Sequence, residues 1–264
     1  MTTAIYGVGS MGSAILEALA GGGEGEVLAV GGRPESAARL RERYAHLAGV
    51  EVVDAAPAAA RAEVHLITVK PYSVAGLLEE IAPSLRPDSI VLSLALGVSL
   101  ADLASGLPEG TAVIRGMPNT PAKVGVGMTV LSPAAEVTDE RLARVRELLE
   151  PTGRTLVLPE SQQDAATALS GSAPAYVYLV VEALVDAGVA RGLARADALT
   201  LATQAVRGAG AMLAETGEEP TVLRAQVTSP GGATAAALAR LEAHGLRHAF
   251  ADAVTACADR SAGR

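Results

Sequence analysis

The sequence predicts two domains of different classes: an α/β domain with a mostly parallel sheet, followed by an all-α helical domain. Short β-branched runs alternate with helical stretches up to about residue 158, which is typical of βαβ units around a parallel sheet. Runs such as Val27–Val30 are apolar at every position, as expected for strands that helices cover on both faces. Beyond residue 160 only long helix-period segments follow, so we place the domains at 1–159 and 160–264.

The predicted elements divide in the same way. Strands are expected at Thr3–Tyr6, Glu26–Val30, Val50–Val53, Val64–Val69, Ser89–Leu92, Ala112–Ile114 and Thr155–Leu158. Helices of the first domain are expected to include Gly12–Ala20, Glu35–Tyr44 and Ser73–Leu85. Helices of the second domain are expected at Gln162–Leu169, Ala175–Ala190, Ala194–Glu215, Gly231–Ala243 and Leu246–Ala262.

Bulk composition excludes several classes of protein. Half of the 264 residues are apolar, yet no uncharged apolar run reaches the roughly 20 residues that a membrane span needs. The net charge of −8 argues against a nucleic-acid surface, and the single cysteine excludes an intrachain disulfide. Gly7-Val8-Gly9 interrupts the first apolar segment, so no secretory leader is predicted. We therefore expect a cytoplasmic protein that binds neither nucleic acid nor membrane.

A glycine motif follows the first predicted strand. The run Gly7-Val8-Gly9-Ser10-Met11-Gly12 lies between strand Thr3–Tyr6 and a helix. In that context the glycines allow a tight turn and close approach of the backbone to a pyrophosphate at the helix N-terminus. The motif predicts a Rossmann dinucleotide-binding domain, and the alternative is a glycine-rich turn without a ligand.

The turn after the second strand bears on the choice of cofactor. Gly31-Gly32-Arg33-Pro34 lacks the acidic residue that usually binds the ribose 2′-hydroxyl of NAD. Arg33 could instead pair with a 2′-phosphate, which predicts a preference for NADP. The alternative is a solvent-facing arginine that begins the next helix.

Three further turns are expected at the carboxyl edge of the sheet, where ligands bind in open α/β folds. They are Thr68-Val69-Lys70-Pro71, the end of the next strand with Ala95-Leu96-Gly97, and Arg115–Pro121, in which Asn119 stands between two prolines. Each could be an ordinary turn, but three at one edge predict a pocket for the cofactor ring.

Two segments stand out in the helical half. Ser170–Pro174 precedes a long helix and is interpreted as a cap. Thr228–Thr234 is a glycine-rich turn with hydroxyl groups at a helix start, which suits either a carboxylate or a plain cap. The alanine-rich helices give a thin core, so we expect an obligate oligomer.

The remaining polar residues are assigned structural roles. His244 and His248 lack a third ligand, so no metal site is expected. His65 is interpreted as an isolated strand residue, and Cys257 as buried and inert. Tyr176 and Tyr178 are assigned to core packing.

Taken together, these motifs resemble the pyrroline-5-carboxylate reductase family. The matching pieces, in family order, are GVGSMG at 7–12, VKP at 69–71, MPNTP at 117–121, LSGSAPAY at 169–176, EALVDAGVARGL at 182–193 and VTSPGGAT at 227–234. The chain departs from the family at Ala173, where glycine is commoner, and at Leu94 and Leu96, where smaller residues are frequent. Asp54–Ala56 also lacks an asparagine often found near the adenosine.

The resemblance implies hydride transfer from NADPH to Δ1-pyrroline-5-carboxylate, giving L-proline, with NADH as a weaker alternative. It also implies a homodimer or a ring of dimers with interleaved helical domains, and an active site where one subunit's Rossmann domain meets the partner's helices. Ser229 and the turn Gly231-Gly232-Ala233-Thr234 would hold the substrate carboxylate, with Thr234 near the ring nitrogen. Lys70-Pro71 and Ala95–Gly97 would line the nicotinamide, and Gln226 would approach the cofactor.

Two other functions stay in competition. A β-hydroxyacid-type dehydrogenase needs a base, usually a lysine on the long helix after the Rossmann domain, but both lysines of this chain, Lys70 and Lys123, precede it. A cyclic imine protonated in solution needs no strong general acid, in keeping with a substrate turn without lysine, histidine or carboxylate. An NADP-binding regulatory protein without turnover is the second alternative.

Overall fold

A computed structural model describes residues 1–21 and 25–263 of the chain. Its contacts separate two compact units, Met1–Ser172 with Cys257–Arg264 and Ala173–Ala256. The predicted domain boundary at 159/160 lies earlier in the chain than this division, and Arg264 lies outside the described residues.

The first unit is built on one eight-stranded sheet with the order β3-β2-β1-β4-β5-β6-β7-β8. Every neighbouring pair is parallel except β6 and β7, which are antiparallel. The strands are β1 Thr2–Tyr6, β2 Glu26–Val30, β3 Val50–Val53, β4 Val64–Ile67, β5 Ile90–Ser93, β6 Ala112–Met117, β7 Gly127–Pro133 and β8 Gly153–Val157. The predicted mostly parallel α/β sheet is confirmed.

Helices connect the parallel strands, and after β8 the described chain contains helices and no further strand. Those of the first unit are α1 Ser10–Gly21, α2 Pro34–Tyr44, α3 Ala55–Arg61, α4 Val74–Ile81, α5 Leu100–Ser105, α6 Asp139–Leu149 and α7 Gln163–Ala166. Those that follow are α8 Ala173–Ala190, α9 Arg195–Thr216, α10 Pro220–Gln226, α11 Ala233–Ala243 and α12 Leu246–Ser261, whose last residues belong to the first unit.

The sheet carries an apolar layer on each face. Along β1, Ile5 packs into one buried cluster, whereas Ala4 and Tyr6 pack into the other. All of Val27–Val30 is buried, and its residues alternate between the same two clusters. The prediction that helices cover both faces of these strands is confirmed, because a half-exposed strand would show polar residues at every second position.

The second unit has little buried core of its own. Its most extensive helix packing is between α8 and α9, where a Cβ added at Gly188 would come within 3.1 Å of Ala198 Cβ. Among its described residues only Val185, Ala198 and Ala202 are buried. Most of its leucines and valines therefore face outward.

One helical stretch, 160–190, is long and apolar enough to cross a membrane by length and composition, and only 6% of its most apolar window is buried. The sequence does not predict this stretch as an uncharged apolar run, because the stretch contains Glu182. Length and composition do not distinguish a lipid-facing helix from one that packs against another protein chain.

The interpretation of Ser170–Pro174 as a helix cap is wrong. Residues Thr167–Gly171 form a π-helical turn that links α7 to α8, so no helix starts from a free end there. Pro174 has no N–H to donate to the Ser170 carbonyl four residues earlier, which removes one bond of the regular α-helical ladder. Such π-turns recur at functional sites.

Candidate active site

The glycine motif forms a tight turn between β1 and α1. Gly7 has φ +89°, and a Cβ added there would lie 2.7 Å from Val69 Cγ1. A Cβ at Gly12 would come within 2.7 Å of the Gly7 carbonyl oxygen, so both positions exclude any side chain. At Gly9 the Cβ direction is open to solvent. The backbone there is accessible to a phosphate, which is the cradle that a dinucleotide pyrophosphate requires.

Thr68 holds this turn from the end of the neighbouring strand, and sequence reasoning did not single it out as a site residue. Its Oγ1 lies 2.6 Å from the Gly7 carbonyl oxygen and 3.0 Å from that of Tyr6, within reach of either as a hydrogen-bond donor. The hydroxyl therefore fixes the peptide groups at the start of the glycine turn. Its proximity to Gly12 could not be deduced from the sequence, because it depends on how closely β4 and α1 approach.

A cavity of about 400 Å³ opens beside the glycine turn at the carboxyl end of β2. Gly7, Val69 and the turn Gly31–Pro34 all line it, so residues predicted from three separate motifs meet there. Arg33 is exposed, has extended backbone at φ −148° and ψ 152°, and is the residue that precedes α2. The volume falls in the range of small-ligand sites, about 300–1,000 Å³.

Val8, Gly9 and Ser10 line a neighbouring cavity of about 420 Å³ on the other side of the turn. Met11 packs against the buried core, and Gly12 is itself buried beneath the turn. Gly9 and Ser10 are thus the exposed part of the motif, whereas Met11 and Gly12 anchor it to the core.

The three predicted edge turns do lie at the same edge of the sheet. Strands β4, β5 and β6 are parallel neighbours, so the residues that follow them emerge together. Lys70 and Pro71 are exposed after β4. After β5, Ala95 is buried, whereas Leu96 is exposed and Gly97 has φ +75°.

Asn119 is held by hydrogen bonds at both ends of its amide. Its Nδ2 donates to the Ser170 carbonyl at 3.1 Å, and its Oδ1 accepts from the Met128 backbone N–H at 2.9 Å. The Ser170 carbonyl is the group that Pro174 cannot bind. Asn119 therefore joins the turn after β6 to the π-helical turn, a role that the sequence does not reveal.

An ion pair fixes the same edge. Arg115, within β6, lies 3.1 Å from Glu160 Oε1, and its side chain is only 11% exposed. The same Glu160 oxygen accepts the backbone N–H of Leu100 at 2.8 Å. The start of the 160–190 helix is thus tied to two neighbouring segments of the first unit. An arginine at the end of an apolar strand was the available signal for this contact.

Three buried polar side chains are hydrogen-bonded in series across β1, β4 and the residue before β5. The hydroxyl of Tyr6 and Nδ1 of His65 are 3.0 Å apart, and His65 Nε2 is 3.1 Å from Ser89 Oγ. Burial lowers the pKa of His65 to about 4 and raises the pKa of Tyr6 well above its usual value. Both side chains are neutral at pH 7, and the interpretation of His65 as an isolated strand residue is wrong.

The predicted substrate residues lie in the second unit, in the turn between α10 and α11. Gly231 has φ +68°, and a Cβ added at Gly232 would clash with Ser229 Oγ. The Ser229 hydroxyl therefore sits directly over the backbone at the start of α11. Thr234 and Ala233 are exposed in the first turn of this helix. Gln226 donates from Nε2 to Glu218 Oε2 at 2.8 Å, a contact that holds its amide.

The other predicted roles have mixed outcomes. Cys257 is only partly buried, and its Sγ lies 3.2 Å from Ser172 Oγ, so the prediction that it is buried is wrong. Tyr178 is 62% exposed, which contradicts its assignment to core packing. Among the described residues no group of three histidine, cysteine or acidic side chains could hold a metal ion.

Two family models match separate parts of the chain. Residues 2–97 match "NADP oxidoreductase coenzyme F420-dependent", and residues 160–263 match "Pyrroline-5-carboxylate reductase dimerisation". The first range holds the glycine turn and the cavity, and the second holds the turn before α11.

Relatives named pyrroline-5-carboxylate reductase match almost the full chain. That of Corynebacterium melassecola is 43% identical over 98% of this chain and 97% of its own length. That of Escherichia coli (strain K12) is 39% identical over 97% and 95%.

Solved structures agree over the same length. The 1-pyrroline-5-carboxylate reductase of Streptococcus pyogenes has a TM-score of 0.88 at 31% identity, covering 100% of this chain and 99% of that one. Pyrroline carboxylate reductase of Plasmodium falciparum, solved with NADP bound, has a TM-score of 0.86 at 26% identity, covering 100% and 97%. On its near-full-length similarity and the match of its helical part, this chain belongs to the pyrroline-5-carboxylate reductase family.

Proposed function

We propose that this protein reduces the C=N bond of Δ1-pyrroline-5-carboxylate with NADPH to give L-proline. The observation that carries the proposal is the turn Ser229–Thr234, which combines the N–H groups of a helix start with two hydroxyls and no ionisable side chain. Such a turn suits a carboxylate and provides no base for alcohol oxidation. Its presence in a chain with a dinucleotide turn supports a reductase of a small anionic imine.

The cofactor preference is proposed from the turn after β2. No acidic residue occurs in Gly31–Pro34, and Arg33 is exposed beside the cavity. A guanidinium can bind a 2′-phosphate through two parallel hydrogen bonds, whereas the 2′-hydroxyl of NADH offers no negative charge. We propose NADPH as the preferred cofactor and NADH as a weaker alternative.

The proposed binding roles divide between the two parts of the chain. Ser229 and Gly231–Thr234 hold the substrate carboxylate, with Thr234 beside the ring nitrogen as the hydroxyl nearest the reaction. The cofactor contacts are assigned to Gly7–Gly12, Gly32, Arg33, Val69–Pro71, Ala95–Gly97, Asn119 and Gln226. For Asn119 and Gln226 the hydrogen bonds described above support positioning of neighbouring segments as their first task.

The proposed reaction depends more on positioning of the substrate and the cofactor than on acid–base catalysis. Bound NADPH supplies the hydride. The protein aligns substrate and cofactor, which contributes up to about 7–11 kcal/mol when the reacting atoms are well oriented. The carboxylate turn fixes the substrate. Solvent protonates the imine before binding, so no general acid is assigned.

We also propose an obligate homo-oligomer, a dimer or a ring of dimers, assembled through the helical part 160–264. Only three described residues of 173–256 are buried, although the unit carries many leucines and valines. A second copy would cover the outward face of α8, where Glu182 disfavours lipid. We accordingly propose a cytoplasmic protein with a Rossmann domain at 1–159. Light scattering should find no folded monomer at micromolar concentration.

The experiment that tests the function combines substrate-dependent loss of absorbance at 340 nm with measurement of L-proline. Wild-type protein with NADPH and pyrroline-5-carboxylate should form one proline for each NADPH consumed. Thr234→Val, which keeps the side-chain shape, should retain NADPH binding and lose most turnover. If NADPH binds but no proline forms, the reductase function is wrong and a regulatory NADP-binding protein replaces it.

A further inference from the structure

The helix after β2 presents more than one arginine to the cofactor cavity. Arg33 immediately precedes α2, and Arg41 lies two helical turns further along. Both line the same cavity of about 400 Å³. Residues 33, 37 and 41 are spaced by four, so they lie on one side of the helix. The residue between the arginines is Ala37, whose short side chain is buried and leaves room for the longer one beyond it.

The arginines of α2 differ in what they already bind. Arg39 donates to Ser36 Oγ at 3.3 Å, and Arg43 forms an ion pair with Glu17 at 2.9 Å. Within residues 1–21 and 25–263, no ion pair or side-chain hydrogen bond is formed by Arg33 or Arg41. The two cavity-lining arginines are thus the two whose donors are available to a ligand.

The positive and the negative side chains that line the cavity also lie on different elements. The cations stand on α2, whereas Asp54 before α3 and Glu80 on α4 line the cavity from the neighbouring connections. A ligand with one strongly anionic group will place that group against α2 and away from the carboxylates. The 2′-phosphate of an adenosine bound at the end of β2 is such a group.

We propose that Arg41 acts with Arg33 as a second binding residue for the 2′-phosphate of NADPH and so determines cofactor specificity. This inference rests on the proposed NADPH site. Arg33 reaches the phosphate from the β2 turn, and Arg41 approaches it along the helix face that Ala37 leaves open. A location in the last turn of α2 gives Arg41 a favourable interaction with the helix dipole, but that affects stability and cannot discriminate between two ligands.

The test is calorimetric titration of the full-length protein with adenosine 2′,5′-bisphosphate and with AMP at one ionic strength. Arg41→Ala should lower the affinity for the bisphosphate about tenfold, as for one lost charged hydrogen bond. Its affinity for AMP should stay within about twofold. Arg41→Lys keeps the charge but not the planar fork, so its affinity for the bisphosphate should lie between those of wild type and Arg41→Ala. Arg39→Ala is the matched control, because it removes the same charge from the same helix outside the cavity lining.

The results distinguish a specific contact of Arg41 with the phosphate from a general effect of charge. A bisphosphate-specific loss in Arg41→Ala, absent in Arg39→Ala, supports the proposal, and equal losses in the two variants would reduce it to general electrostatics and overturn it. An unchanged ratio of bisphosphate to AMP affinity in Arg41→Ala also overturns it. Wild-type turnover of pyrroline-5-carboxylate is measured in parallel. If turnover is absent while the bisphosphate preference depends on Arg41, the proposed function fails and this inference stands.

Discussion

The two units of this chain bury their apolar residues to very different extents. In the first unit, an eight-stranded sheet is covered on both faces by buried clusters that its own helices complete. In the described part of the second unit, only Val185, Ala198 and Ala202 are buried, while residues such as Leu179 and Leu201 are exposed. A domain of this size without a core is not stable by itself. The first unit therefore has a core of its own, whereas the exposure of the second unit supports the proposal that another chain covers it.

The largest effect is expected from a charge placed on the outward face of α8. Leu179 is 65% exposed, and the proposed second copy would bury it. Leu179→Glu would then bury an unpaired carboxylate at two symmetric positions, each costing several kcal/mol, so assembly should weaken by at least ~100-fold. Light scattering and proline formation measure the loss.

The control for this change is Leu156→Glu, since Leu156 is an exposed leucine on β8 of the first unit. It should leave assembly and turnover near wild type. The comparison between the units would be broken if Leu179→Glu formed the same oligomer with the same activity, or if both variants lost assembly equally.

A second effect should appear in the first unit alone, as a loss of stability in acid. The pKa of His65 is about 4 in the folded protein, against about 6.5 in an unfolded chain. As pH falls through 6.5 toward 4, the unfolded chain binds a proton that the folded chain does not, so the free energy of unfolding decreases. This stabilisation is fully present above pH 6.5, and about 3 kcal/mol of it is lost by pH 4.

Urea unfolding at a series of pH values tests this effect. The difference in unfolding free energy between wild type and His65→Gln should shrink as pH falls from 7 to 4. His46→Gln is the control, because His46 is exposed at the end of α2 and should show no such trend. A constant difference for His65→Gln across the range would contradict the burial argument.

Much of the fold was predictable because hydrophobic patterning decides it locally. Strands β1 to β6 and β8 were predicted with ends that differ by a few residues, since each is a short apolar run between turn residues. Strand β7, Gly127–Pro133, was missed. It begins at a glycine, ends at a proline and is the antiparallel member of the sheet, so the alternating βαβ pattern does not predict it.

The candidate site was predictable only as far as backbone chemistry determines it. The glycine turn lies where its spacing predicted, because only glycine fits at Gly7 and Gly12. The contacts of Thr68 and the double hydrogen bond of Asn119 join residues distant in sequence, and no local pattern encodes such pairs. The sequence predicts a cap at the π-helical turn, because serine and proline are typical of helix starts.

The glycine turn provides a third and smaller test, within the first unit. Gly7→Ala forces a side chain into a left-handed backbone against Val69 and should lower the free energy of unfolding by about 1–3 kcal/mol. Gly9→Ala meets open space and should unfold like wild type. Both should weaken NADPH binding, measured by fluorescence of the nicotinamide. Equal stability of the two variants would show that the turn tolerates a Cβ at Gly7.

The smallest expected effect concerns Thr68. Thr68→Val keeps the shape but removes the hydroxyl that holds the turn, which should cost about 1 kcal/mol of stability. Because Thr68 positions the turn and does not touch the reacting atoms, Thr68→Val should raise KM for NADPH severalfold and leave kcat nearly unchanged. Thr68→Ser should restore KM, because it retains the hydroxyl. A fall in kcat with unchanged KM would exclude this role.

In the proposed division of roles, the first unit binds the cofactor and the turn before α11 binds the substrate. The most direct measurement compares Arg33→Ala with Ser229→Ala, determining Kd for NADPH and KM for pyrroline-5-carboxylate in both. Arg33→Ala should raise Kd for NADPH about tenfold and leave KM for the imine unchanged. Ser229→Ala should raise KM for the imine and leave Kd for NADPH unchanged. If Ser229→Ala alters only NADPH binding, or Arg33→Ala alters only KM for the imine, the proposed division of roles is wrong.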